Sequence, residues 1–296
     1  MKQITRREAM IQGGSVIAGA TAGLTFPPLL SGCVSEKYDN ADCENLLAQM
    51  TVAKAEAVRM SILYDNNPWD KALQSDWGFS CLIEGLDQTI LFDTGRYDSL
   101  LMENIEKTGT NLRQVKTIFL SHEHHDHIGG LSKVLDVRSD VTVYFPKSFS
   151  SGIRKSIRKA GAQGSEVGSP LKISENTLST GEMRSFVKNE HSLLILTDRG
   201  VILITGCAHP GIVSILERAK AISRQDILLV IGGFHLFSDS DSGIRKIISQ
   251  LKELGVRYVA PTHCSGPEAR QLFAEAYGSG YIKCGVGRVI TSEDFC

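Results

Sequence analysis

Residues 115–127 read Val115-Lys116-Thr117-Ile118-Phe119-Leu120-Ser121-His122-Glu123-His124-His125-Asp126-His127, an apolar run followed at once by H-x-H-x-D-H. Half of the chain's eight histidines fall within that short cluster. Imidazole and carboxylate are the donors that borderline divalent cations such as zinc prefer. Extended backbone sends residues i and i+2 to one side, so His122 and His124 can close on one ion, while a turn brings Asp126 and His127 towards a second. The preceding run reads as a buried strand, and Gly129-Gly130 follows. The cluster therefore sits in a loop at a strand end, not in a solvated histidine-rich tail.

The same arrangement recurs along the chain. His209 follows Val201-Ile202-Leu203-Ile204-Thr205-Gly206-Cys207-Ala208, His235 follows Ile227-Leu228-Leu229-Val230-Ile231-Gly232-Gly233-Phe234, and His263 follows Val259-Ala260-Pro261-Thr262. Three histidines after three apolar runs, with a metal-type cluster elsewhere, point to one pocket at the strand ends. His191 precedes a strand and reads as structural. Further strands are expected at 59–64, 79–84, 89–92 and 141–145. A hairpin is expected around Asp198-Arg199-Gly200, with helices at 97–107, 131–137, 211–223, 242–254 and 267–277. Strands alternating with helices indicate an α/β fold in layers.

A chain of 296 residues, 42% hydrophobic and 22% charged with a formal net charge of −1, has the composition of a globular protein. Neither its overall charge nor any basic stripe suggests nucleic acid as a partner. Residues 1–33 read as an address: Thr5-Arg6-Arg7, then a glycine- and alanine-rich apolar stretch free of acidic residues, then Leu30-Ser31-Gly32-Cys33. This resembles a twin-arginine export signal joined to a lipoprotein box. It implies an acylated Cys33, a membrane anchor and a bacterial cell-envelope location. Residues 34–57 are expected as a tether and 58–296 as the domain, with the irregular stretch 146–190 as a lid or insertion. Cys43, Cys81, Cys207, Cys264, Cys284 and Cys296 are widely and irregularly spaced without C-x-x-C, so they read as free thiols, not as a disulfide framework.

Taken in order, Phe92-Asp93-Thr94-Gly95, Ser121 to Gly130, Gly206-Cys207-Ala208-His209 and Pro261-Thr262-His263-Cys264 resemble the hallmarks of the metallo-β-lactamase fold superfamily. Tyr64-Asp65-Asn66, Trp77-Gly78-Phe79-Ser80, Gly232-Gly233-Phe234-His235-Leu236 and Thr262-His263-Cys264-Ser265-Gly266 look like its subfamily of dihydropterin-ribofuranosyl-aminobenzene phosphate synthases. The resemblance implies a four-layer αββα sandwich with two divalent ions at one edge: zinc first, with iron, manganese or nickel as alternatives. His122, His124 and His209 would hold one ion; Asp126, His127 and His263 would hold the other. Asp93 would steady the ligand loop, and Asp126 and His235 would serve catalysis. One departure stands out. Many members place a bridging Asp after the strand that here ends at Ile231, where this chain has Gly232-Gly233-Phe234-His235.

The implied activity is hydrolysis of an ester, lactone or phosphoester of a small molecule, phosphorylated or not. A pyrophosphate-displacing synthase, iron-dependent oxygenase and non-catalytic metal-binding lipoprotein remain as alternatives. Asp65, Asn66 and Trp77 are candidate substrate contacts. So are Arg154 and Arg158, since the like-charged pairs Arg154/Arg158 and Lys155/Lys159 on one helix are eased by an anion.

Overall fold

The computed structural model describes residues 40–295. The expected export signal, Cys33 and Cys296 lie outside the described residues. Two sheets dominate. The first contains β1 (Arg59–Asp65), β2 (Phe79–Glu84), β3 (Thr89–Phe92), β4 (Val115–Phe119), β5 (Thr142–Pro146) and β6 (Gln163–Val167), with β13 (Val289–Ile290) beside β1. The second runs β12 (Tyr258–Thr262), β11 (Ile227–Gly233), β10 (Gly200–Thr205), β9 (Leu193–Thr197), β8 (Thr177–Ser179) and β7 (Leu171–Lys172).

Period-two alternation decides how the layers stack. Ile90, Phe92 and Phe119 point between the sheets, where they join Leu193, Ile195, Ile202, Ile204 and Ile231 in one core. Leu91, Ile118 and Leu120 point outward and pack with Leu101 and Ile105 of helix Asp98–Thr108 and Leu131, Val134 and Leu135 of helix Leu131–Val137. On the far side, helix Ile212–Ser223 buries Ile212, Ile215, Leu216, Ala219 and Ile222, a stripe at helical spacing. Helices Asp241–Glu253 and Pro267–Tyr277 complete that layer. The order is helix, sheet, sheet, helix: an αββα sandwich.

Two expected segments are woven into this body. From residue 40, the tether begins with helix Asn40–Leu47, which buries Cys43. Thr51 and Ala53 donate backbone N–H groups to Glu175 and Leu196, and Lys54 pairs with Asp198, so residues 51–54 are laid along the second sheet rather than left free. The stretch 146–190 supplies helix Ser151–Lys159, edge strand β6 of the first sheet, and β7 and β8 of the second. Its sheet hydrogen bonds make it part of the scaffold through Ser179; residues 180–190 then run past the histidines.

Candidate metal centre

The loops after β3, β4, β10, β11 and β12 meet at one edge of the sandwich. β3 runs parallel to β4, and β10, β11 and β12 run parallel to one another, so their carboxyl ends deliver side chains to the same side. After β4, a single turn of helix, His125–Ile128, swings Asp126 and His127 inward and leaves His125 exposed. Gly129 makes that turn possible: a Cβ there would lie 1.9 Å from the Arg96 carbonyl oxygen, the wall of the loop following β3.

Two triads result. His122, His124 and His209 each place one donor atom within 4.8 Å of the others, and Asp126, His127 and His263 do the same. His122 Nε2 lies 3.1 Å from His124 Nδ1, and His127 Nε2 lies 3.2 Å from His263 Nε2. Asp126 Oδ2 is 3.4 Å from His263 Nε2 and 3.7 Å from His127 Nε2.

Outer partners fix the ring orientations. His127 Nδ1 donates to Asp93 Oδ2 at 2.7 Å, and the same oxygen accepts the Ser121 hydroxyl. His122 Nδ1 lies 2.9 Å from Ser121 Oγ, His209 Nδ1 2.9 Å from Glu190 Oε2, and His263 Nδ1 2.8 Å from Asn66 Oδ1. With Nδ1 engaged outward, the Nε2 atoms of all four rings are left to face inward. Partners of this kind set tautomer and aim in metal-binding histidines.

Glu190 was not singled out by sequence reasoning, yet it organises the loop after β10. Fully buried, it accepts from the Thr205 hydroxyl and the backbone N–H groups of Gly206, Cys207 and Ala208 at Oε1, and from His209 N and Nδ1 at Oε2. An acidic residue at the start of the fully apolar run Leu193–Thr197 was the available signal. His191, by contrast, is structural as expected: its nitrogens meet Ser179 Oγ and the Leu120 carbonyl, and its ring stacks on Phe119.

Two thiols also enter the site. Cys207 Sγ lies 3.2 Å from His127 Nε2, and Cys207, His263 and Cys264 form another cluster of donors within 4.8 Å. His235, whose ring centroid is 4.7 Å from that of His209, joins Cys207 and His209 in a third. Asp93, Ala208, His235 and His263 all hold left-handed backbone, with φ between 46° and 56°. Such conformations persist only where the surroundings enforce them.

Electrostatics divides the site. Burial and the neighbouring imidazoles push His122 well down, and burial together with the His209 charge lowers His124 to about 4. Burial also works against a charged His127, but Asp126 and Asp93 outweigh it and raise the ring to about 9. Burial would raise Asp126; the His127 charge and the His263 hydrogen bond carry it below the usual carboxylate range instead. In Glu190 burial is likewise outweighed, by the His209 hydrogen bond and charge and by the backbone N–H groups, to about 2.

Three of the five expected substrate contacts are engaged within the fold. Asp65 is fully buried and spends its oxygens on Asn67 and the Thr262 hydroxyl, so it latches β1 to β12. Asn66 holds His263 from both sides, accepting from Nδ1 and donating to its carbonyl oxygen. Arg154 is engaged by Glu166 and the Lys147 carbonyl, and Arg158 is exposed on the same helix. Trp77 does flank the centre: its ring lies 5.0 Å from His263 and 6.2 Å from Phe237.

The donor set fits divalent cations. A tetrahedral ion with metal–nitrogen bonds of about 2.0–2.1 Å separates its ligand atoms by about 3.3 Å, and the spacings of 3.1, 3.2, 3.4 and 3.7 Å found here bracket that value.

Residues 78–263 match the metallo-β-lactamase superfamily, and the chain belongs to it. It is 26% identical, over 81% of its length and 99% of the relative's, to a 7,8-dihydropterin-6-methyl-4-(β-D-ribofuranosyl)-aminobenzene-5'-phosphate synthase of Methanocaldococcus jannaschii. Among solved structures it is similar to a metal-dependent hydrolase of the β-lactamase superfamily, with a TM-score of 0.67 and 28% identity, covering 79% of this chain and 98% of that one. It shares the fold of the short form of human tRNase Z, with a TM-score of 0.51 and 15% identity over 79% of this chain and 98% of that chain. The chain's relatives are thus enzymes, of synthase and hydrolase kinds, built on a fold whose members bind metal ions.

Proposed function

We propose that the chain is a hydrolase dependent on two divalent metal ions, acting on an ester, lactone or phosphoester bond of a small molecule. One observation carries the reading: His127 and His263 turn their Nδ1 atoms to Asp93 and Asn66 and bring their Nε2 atoms to 3.2 Å of each other, with an Asp126 oxygen 3.4 Å from His263 Nε2. Two ring nitrogens and a carboxylate oxygen converging at this spacing suit a divalent cation, and in its absence the surplus of carboxylate around His127 draws a proton there instead. His122, His124 and His209 would hold one ion, and Asp126, His127 and His263 the other.

What bound divalent cations supply is Lewis acidity: a water whose pKa falls from about 16 towards about 7, and compensation for charge developing on the attacked oxygen. The remaining work belongs to side chains. Asp93, Asn66 and Glu190 hold the rings in register, so little reorganisation is needed during reaction. Asp126, half-buried beside His127 and His263, is placed to orient a water and accept its proton. His235, beside His209, is placed to return a proton to the leaving oxygen. Trp77 and Phe237 form an apolar wall that limits bulk water. An acyl chain on Cys33 would anchor the enzyme in the bacterial envelope.

The similarity to the archaeal synthase supports a second reading, in which the same edge clamps a pyrophosphate leaving group while an aminobenzene partner attacks the dihydropterin. Metal quantification and a turnover screen decide between them. The expected result is about two ions per chain and hydrolysis of at least one member of an ester, lactone and phosphoester panel. Pyrophosphate release only from a dihydropterin pyrophosphate with its aminobenzene partner would replace the first reading by the second. Full metal occupancy without any turnover, or a single iron accompanied by oxygen uptake, would overturn both.

A further inference from the structure

We propose that the Cys207 thiolate is the ligand shared by the two metal ions, standing where relatives of this fold were expected to carry a bridging carboxylate. The inference rests on the two-ion reading above.

Its first support is location. Cys207 clusters with His122 and His127, with His209 and His235, and with His263 and Cys264, always with donor atoms within 4.8 Å. Among the described residues no other donor shares a cluster with all four of His122, His127, His209 and His263. Its sulfur lies 3.2 Å from His127 Nε2, the ring nitrogen turned away from Asp93. Sulfur at about 2.3 Å and nitrogen at about 2.0 Å from one tetrahedral ion would be about 3.5 Å apart.

The second support is exclusion. A carboxylate cannot come from the end of β11, because a Cβ on Gly233 would lie 2.5 Å from Cys264 Sγ and 2.5 Å from the Gly206 carbonyl oxygen. One on Gly232 would lie 1.9 Å from the Thr205 carbonyl oxygen. The space into which such a side chain would project is filled by Thr205 and Gly206, which lead into Cys207, and by His263 and Cys264 after β12.

The third is rigidity. Glu190 receives the backbone N–H groups on both sides of Cys207 as well as its own, which fixes the direction of the Cα–Cβ bond. On ligation the sulfur–hydrogen bond breaks, a sulfur–metal bond forms, and the proton leaves to solvent.

Loading the full chain with cobalt(II) tests this, because thiolate ligation produces a sulfur-to-metal charge-transfer absorption in the near ultraviolet that imidazole and carboxylate do not. The band is expected in the wild type and in Cys264→Ala. It should be lost in Cys207→Ala, together with about one equivalent of bound cobalt, and Cys207→Asp should regain that equivalent without the band. Should the Cys207 variants fail to fold, X-ray absorption of the wild type and of Cys264→Ala still decides, through metal–sulfur scattering at about 2.3 Å in both. Cobalt bound without any sulfur signature, or a signature lost in Cys264→Ala instead, overturns the assignment while leaving the two-ion centre standing. Failure of the chain to bind cobalt at all refutes the centre itself.

Discussion

The first sheet delivers four candidate ligands from the stretch His122 to His127 after β4, whereas the second delivers His209, His235 and His263 singly from the ends of β10, β11 and β12. The contiguous half depends largely on local geometry: an extended pair, then one helical turn. The dispersed half carries left-handed backbone at Ala208, His235 and His263. Each such residue costs on the order of 1–3 kcal/mol unless its surroundings enforce it. Glu190 supplies that enforcement at Ala208 and Asn66 at His263, each from a distant stretch of sequence.

Removing a ligand from the contiguous half should have the largest effect. His122→Ala is expected to lose bound metal and to reduce turnover by more than the 10–100-fold typical of outer partners, measured by metal analysis and initial rates. Glu190→Ala should instead strike the dispersed half through stability. It strands several buried N–H groups, so a loss of roughly 3–5 kcal/mol and a fall in Tm of roughly 10 °C are expected by calorimetry. If Glu190→Ala leaves Tm unchanged, the dispersed half is not held as argued. Asp93→Asn keeps the shape but weakens the grip on His127. Metal affinity should fall by about 10–100-fold in competition with a chelator, with the fold intact by circular dichroism.

A subtler contrast concerns pH. In the cation-free chain His127 is raised to about 9 from an ordinary value near 6.5, so the folded state holds that proton more tightly than the unfolded state. The resulting stability is complete below about pH 6.5 and is lost as pH rises through about 9. Tm of the chelator-stripped chain should therefore fall between those limits. The zinc-loaded chain should hold steady there, because the cation has replaced the proton. Equal slopes for the two forms would show that His127 does not face a cation. The smallest effect is expected from Arg158→Ala on the exposed helical face: no change in metal content, and stability within about 0.5 kcal/mol by denaturant titration.

The layered α/β fold and the histidine ends of its strands were legible because continuous apolar runs make the buried strands and each histidine comes just after one, while the αββα order followed from the family resemblance. Glu190 and Cys207 were not, since a lone acid and a lone thiol acquire their roles only when β4, β10 and β12 are brought together. Asp65, Asn66 and Arg154 were legible as polar residues near recognisable stretches, but not as residues already satisfied by Thr262, His263 and Glu166. Sequence reports a donor's presence, not its partner. The 146–190 stretch looked irregular because its strands are short and polar, edge strands needing little apolar surface.

His127 and His263, whose nitrogens meet at 3.2 Å, are separated by 136 positions along the chain. Contacts of such range form late, after the intervening strands have found their neighbours. The pocket between the two histidines thus does not exist in a half-folded chain, whereas the core between the sheets is built of apolar side chains alone. Cation uptake should therefore register completed molecules: a metal-sensitive dye followed during refolding would time the docking of one sheet against the other.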